Sequence, residues 1–178
     1  MGMRSIASAG VPVGVMTGNR DFLLGERFTK AAGAKLLPEQ IVIDLAGTPT
    51  LLLHGDELCT ADVDYQRYRR FVRNPRYQRT FLAFPYSLRR GVASMLRGKS
   101  SARTAIKPEA IMDVEQSAVE AAFRAAKVTR IIHGHTHRPA HHRLVVDGHA
   151  CERWVLADWY GRGSYLEFDD NGGRTREV

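Results

Sequence analysis

Short apolar runs, each ending in a glycine-bearing loop, dominate the pattern of hydrophobic and polar positions. Residues 11–16 read as a short buried strand that enters the loop Thr17-Gly18-Asn19-Arg20-Asp21. Between 22 and 32, the apolar positions Phe22, Leu23, Phe28, Ala31 and Ala32 fall at helical spacing, and Gly33 ends the run. Residues 41–45 and 50–53 predict two strands around a hairpin turn at 46–49, and the second runs straight into His54-Gly55-Asp56. The stretch that follows predicts helices broken by Pro75 and Pro85. Pro108 then suits the first turn of a long helix reaching Lys127, with Ile111, Val114, Ala118, Ala122 and Ala125 inward. Residues 130–132 form a strand ending in His133-Gly134-His135-Thr136-His137. Beyond it the pattern changes to hairpin strands at 143–146, 151–156 and 164–168, with a turn at Asp147-Gly148 and a frayed end after the turn at 169–173. Internal repeats and low-complexity linkers are absent.

Composition narrows the class. At 178 residues, 44% apolar and 25% charged, the chain is one soluble globular domain with room for a core. Residues 1–10 hold no signal-peptide apolar region, and runs such as Leu51-Leu52-Leu53 are too short to span a bilayer. Cys59 and Cys151 lie far apart, which argues against a disulfide framework or zinc ribbon and for a reducing cytoplasm. The net charge of +7 is concentrated: residues 62–112 hold twelve Arg and Lys against three acids, while the rest of the chain is slightly acidic. Such a segment fits an anionic partner: nucleic acid, an acidic membrane surface or a phosphorylated ligand.

Three predicted strands deliver metal-capable side chains to their carboxyl ends: Asn19, then His54, then His135 with His137. In open α/β sheets ligands collect at that edge, so the three loops are expected to converge. Neutral imidazole and amide oxygen suit a transition metal better than calcium. Taken singly, His54 is equally a hydrogen-bonded structural residue, and Gly-Asn-Arg-Asp an ordinary turn. Three histidines within five residues carry the metal reading; His141, His142 and His149 read as surface residues.

These blocks, in this order, resemble the later signatures of the calcineurin-like phosphoesterases. The stretches 18–25, 54–60, 110–114 and 133–140, with Arg20 after Asn19 and the basic insertion, are most similar to the UDP-2,3-diacylglucosamine diphosphatases of lipid A synthesis. The resemblance implies an α/β fold of β-sheets flanked by helices, one domain over 1–178 with a helical lid insertion at 62–110. It implies a two-manganese (Mn2+) centre, with Asn19, His54 and His135 on one ion and His137 on the other. Asn19 and His135 would also be catalytic and substrate-binding, and Arg20 would meet the phosphates. Asp62, Tyr65, Arg97, Ser100 and Lys107 match positions that contact the head group, and Thr104 stands where the family pattern has Asn. The implied partners are UDP-2,3-diacylglucosamine and the anionic inner face of the inner membrane, with no nucleic acid and no obligate protein partner.

The family's first two blocks, Asp-x-His and Gly-Asp, have no counterpart here, since residues 1–18 contain neither Asp nor His. The expectation is therefore a chain short of its first βα units, about sixty residues, with residues 1–9 belonging to an internal helix. Such a chain should bind at most one metal weakly, hydrolyse little and expose sheet edges. Two other readings stay open: a phosphoesterase acting on other nucleotides or nucleic acid, and a non-catalytic binder of anionic lipid or nucleic acid.

Overall fold

The structure, a computed structural model, describes residues 2–104, 113–161 and 163–178. In chain order its elements begin with α1 (Met3–Ser8), β1 (Gly14–Val15), α2 (Glu26–Ala32), β2 (Lys35–Leu36), β3 (Gln40–Leu45) and β4 (Thr48–Leu53). Three helices follow: α3 (Val63–Val72), α4 (Pro75–Ala83) and α5 (Tyr86–Thr104). Then come α6 (Gln116–Ala126), β5 (Arg130–His133), β6 (Ala140–Val146), β7 (His149–Val155), β8 (Ser164–Asp169) and β9 (Gly172–Glu177).

Five strands build the central mixed sheet in the order β3-β4-β5-β7-β6. β4, β5 and β7 run parallel, and antiparallel β3 and β6 close the two sides. Both side hairpins have two-residue turns with positive φ throughout, Ala46-Gly47 (51° and 74°) and Asp147-Gly148 (51° and 80°), which match the twist of the flanking strands. Alternation along the parallel strands turns Leu51, Leu53 and Ile131 to one face. There α6 lays Val119 and Phe123 against them, with Val146 and Cys151 completing the core. The opposite face receives the β8–β9 hairpin: Phe168 lies 5.7 Å from the Trp154 ring, and the Arg130 guanidinium stacks on Phe168 at 4.7 Å. A helix on one face, a hairpin on the other and flanking helices make this the expected mixed α/β fold.

Several boundaries differ from the sequence reading. Of the long helix expected from Pro108, residues 108–112 lie outside the described residues, and the observed helix starts only at Gln116. Its inner face is set by Val119 and Phe123; Ala125, two residues or about 200° past Phe123, is exposed. α2 begins at Glu26 rather than at 22, because Gly25 is extended just before it, and it ends at Gly33 in the left-handed conformation. The tail expected to fray forms β9, since Gly172 at φ 104° turns the chain and Arg174 and Arg176 pair with Asp169 and Glu167 across the hairpin. β1 and the two-residue β2 pair in parallel as a separate ladder.

The helices α3 to α5 start where the sequence punctuates them. Asp62 caps α3 by accepting from the Tyr65 amide (3.1 Å), and Asn74 caps α4 with Pro75 in its first turn. Phe84 is extended ahead of Pro85, which ends α4 before α5 begins.

Candidate metal and phosphate site

The three loops meet at the carboxyl ends of β4 and β5. Gly134 donates its amide to the His54 carbonyl (3.0 Å), tying the loop after β5 to the end of β4. The loop after β1 packs on the His54 ring itself: a Cβ on Gly18 would stand 2.7 Å from His54 Cε1. A side chain at 18 would force this loop or the imidazole to shift. Asp21 holds the loop by accepting from the Gly18 amide (2.5 Å).

The His54 and His135 rings stand edge to face, 5.1 Å between centroids. Burial lowers the pKa of both, His135 to about 4 with His54 as the next cause, so both imidazoles are neutral near pH 7. His54 Nε2 is buried and has no hydrogen-bond partner. A buried polar atom left without a partner costs roughly 1–3 kcal/mol. His135 and His137 both carry left-handed backbones, φ 67° and 55°, a conformation uncommon for β-carbon-bearing residues.

This pair passes the test of fit for a transition-metal ion: two neutral nitrogens, one of them buried and unpaired, beside the Asn19 loop. The fit extends to part of one coordination sphere. Among the described residues no group of three or more His, Cys, Asp and Glu side chains is arranged to hold a metal. His137, assigned to a second ion by resemblance, is exposed and has Nδ1 3.2 Å from Asp158 Oδ2.

Below the site lies a charge network that the sequence reading missed. Asp56 is fully buried and accepts from the Tyr65 hydroxyl (2.6 Å) and Arg69 Nε (3.0 Å). Burial pushes its carboxyl upward, but the Tyr65 hydrogen bond and the Arg69 charge outweigh it and hold the pKa low. Burial, reinforced by Asp56, raises the Tyr65 phenol. Arg73 spans from Glu39 (3.2 Å) to the carbonyls of Thr17 (3.4 Å) and Gly18 (3.2 Å). Tyr65, Arg69 and the C-cap residue Arg73 recur every four residues along one face of α3 and its end, and the Tyr65 ring stacks on His135 at 6.1 Å. Two of the twelve cations in the basic segment are therefore consumed inside the fold.

The other predicted residues fall as follows. Arg20 is exposed on the loop, and Asp62 caps α3. Arg97, Ser100 and Thr104 lie on α5, and Lys107 lies outside the described residues. His133, passed over in favour of its neighbours, is only 1% exposed, and burial lowers its pKa to about 4. Its Nε2 receives Arg153 Nη1 at 2.9 Å. Around α3 to α5, Phe71, Tyr77, Leu82, Phe84, Tyr86 and Leu88 are exposed. Among the described residues no helix is long and apolar enough to cross a membrane.

No family model matches the chain. Among curated proteins it is similar to the UDP-2,3-diacylglucosamine hydrolase of Nitrosococcus oceani, 52% identical over 157 residues that cover 88% of this chain and 63% of the relative. The enzyme of the same name from Cellvibrio japonicus is 49% identical, covering 96% of this chain and 71% of the relative. That from Xanthomonas axonopodis pv. citri is 45% identical, covering 99% and 74%. The chain thus spans from under two thirds to about three quarters of the length of these relatives.

Proposed function

This chain belongs to the UDP-2,3-diacylglucosamine hydrolase family, and on that footing we propose that its site serves hydrolysis of the pyrophosphate bond of UDP-2,3-diacylglucosamine. In that reaction a water oxygen bonds to the α-phosphorus, and the bond from that phosphorus to the bridging oxygen breaks. The electron pair leaves with 2,3-diacylglucosamine 1-phosphate, and UMP is the other product. The observation that carries the reading is the neutral His54–His135 pair, with its unpaired buried Nε2 beside the Asn19 loop.

Asn19, His54 and His135 would hold one ion, for which Mn2+ is the expectation from the family resemblance, and His137 with Asp158 stands at the rim. When bound, the metal lowers the pKa of water and neutralises charge on the phosphoryl oxygens. The chain's own residues do the rest. The stacked Tyr65 ring limits where His135 can move, and the exposed Arg20 guanidinium would meet a phosphate in bidentate fashion. Helices α3 to α5, in the 62–110 segment proposed as a lid, would cover the acyl chains. Their exposed aromatic and leucine side chains, interleaved with arginines, suit a surface resting on the anionic inner face of the inner membrane.

Release of UMP from UDP-2,3-diacylglucosamine dispersed in detergent, with Mn2+ added and with chelator, tests the proposal. Metal-dependent release that falls at least a hundredfold in His135→Ala supports it. Equal turnover of a soluble nucleotide diester, or release that chelator leaves unchanged, overturns it.

A further inference from the structure

We propose that Arg153 is a positioning residue for the His54–His135 pair, acting through the tautomer of His133. The proposal deepens the hydrolase reading and rests on it for the purpose of the site. Arg153 sits on β7 two positions before Val155, the residue in register with His133 on β5. Residues two apart on a strand share a face, so the guanidinium reaches along the sheet to the His133 ring. Nη1 lies 2.9 Å from His133 Nε2. A guanidinium has donors and no acceptor, so Nε2 must present its lone pair and the ring proton must sit on Nδ1. From there it donates to the Gly134 carbonyl oxygen at 2.9 Å.

That carbonyl also accepts from the Thr136 amide (2.8 Å), closing the tight turn in which His135 takes φ 67°. The amide of the same Gly134 is bonded to the His54 carbonyl. Gly55, at φ 108°, leaves room for the arrangement: a Cβ there would stand 2.7 Å from His133 Nδ1 and 3.2 Å from the Gly134 oxygen. With His133 almost wholly buried, water has little access to substitute for either bond. In the other tautomer, Nε2–H would face the guanidinium donor and Nδ1 would face the carbonyl oxygen. Both contacts would turn repulsive, and the turn carrying His135 would open. Neither residue touches the pair's ring nitrogens; their effect is the placement of His135 relative to His54.

The test is long-range proton–nitrogen NMR of the histidine rings in the whole chain, with Arg153→Met and Arg153→Lys alongside. Mn2+ line broadening of the His54 and His135 signals is the second readout. Expected are an Nδ1–H tautomer for His133 in the parent, a mixed or Nε2–H population in Arg153→Met, and about a tenfold higher Mn2+ midpoint in that variant. Arg153→Lys, whose ammonium also only donates, should keep the tautomer and stay within about threefold of the parent midpoint. An Nε2–H parent, or an Arg153→Met protein with unchanged tautomer and midpoint, overturns the proposal. If Arg153→Met fails to fold, the parent tautomer and its retention in Arg153→Lys decide. If Mn2+ broadens neither histidine in the parent, the metal reading of the site fails, and the tautomer comparison still judges Arg153.

Discussion

Arg73 Nη2 reaches the carbonyl oxygen of Gly18 at 3.2 Å, across 55 positions of sequence, and so fastens helix α3 to the loop that carries Asn19. The same side chain accounts for the Thr17 carbonyl and for Glu39. Arg73→Met removes these bonds and the 3.7 Å ion pair with Asp56 Oδ2, while Asp56 keeps Tyr65 and Arg69. The expected result is a fall of ten- to a hundredfold in turnover, the scale of a misplacement of about 1 Å, and a stability loss near 2 kcal/mol. Arg73→Lys should regain the Glu39 pair and only part of the turnover, because a point charge cannot fork to two carbonyls. Steady-state kinetics beside urea unfolding checks both.

Gly18→Ala asks whether the Asn19 loop must touch His54. The added Cβ would meet three atoms of the ring, the nearest at 2.7 Å, so either the loop or the imidazole has to shift. Turnover is expected to fall about a hundredfold with a melting temperature lowered by no more than about 4 °C. A fully active variant would remove the contact from the account of the site.

The meeting of the His54 and His135 loops was legible in the sequence because apolar strand residues run directly into polar loops, and the parallel register of β4 and β5 brings their ends together; the Asn19 loop arrives from the separate β1–β2 ladder. The Asp147-Gly148 turn was legible for a local reason, the demand for positive φ; the turn expected over 46–49 is only Ala46-Gly47, with Thr48 and Pro49 already in β4. Arg69 and Arg73 were not: a sequence counts charges, whereas their meaning depends on Asp56, Glu57 and Glu39 arriving from other elements. His133 was passed over for a similar reason. Its partner Arg153 is twenty residues away on β7, and no local spacing announces the pairing. The four-residue recurrence of Tyr65, Arg69 and Arg73 was a usable sign that one face of α3 does a single job.

Glu152 supplies a pH dependence away from the site. It accepts from Arg130 Nε, from His141 Nε2 (2.8 Å) and from Trp154 Nε1 (3.1 Å). Burial raises its pKa, but the Arg130 hydrogen bond leads the contributions that bring it below the usual glutamate value. A lowered folded-state pKa stabilises the fold fully above about pH 4.3, the unfolded value, and that contribution is lost as pH falls through the folded value. Glu152→Gln is therefore expected to melt about 2–4 °C below the parent at pH 7, for a loss near 1 kcal/mol. The gap should narrow as pH falls below about 4.3, because only the parent carries a carboxylate that protonation neutralises. A gap that is constant with pH would show that shape, not charge, matters at this position.

Both thiols are buried, Cys59 beneath the His54-Gly55-Asp56 turn and Cys151 in the core. Burial, followed by the charge of Asp113, pushes the Cys59 thiol up to about 12, and burial also raises Cys151. Thiolate is the reactive form, and at pH 8 Cys59 holds about a thousandfold less of it than an ordinary thiol of pKa near 8.5, so its reaction is expected to be far slower. Reaction with a disulfide reagent should give almost no fast phase in the native protein and two equivalents after denaturation. A rapid equivalent in the native protein that disappears in Cys59→Ala would mean that the turn beneath His54 opens on the time scale of the reaction. The carboxyl end of β4 would then be a mobile part of the site, not a fixed one.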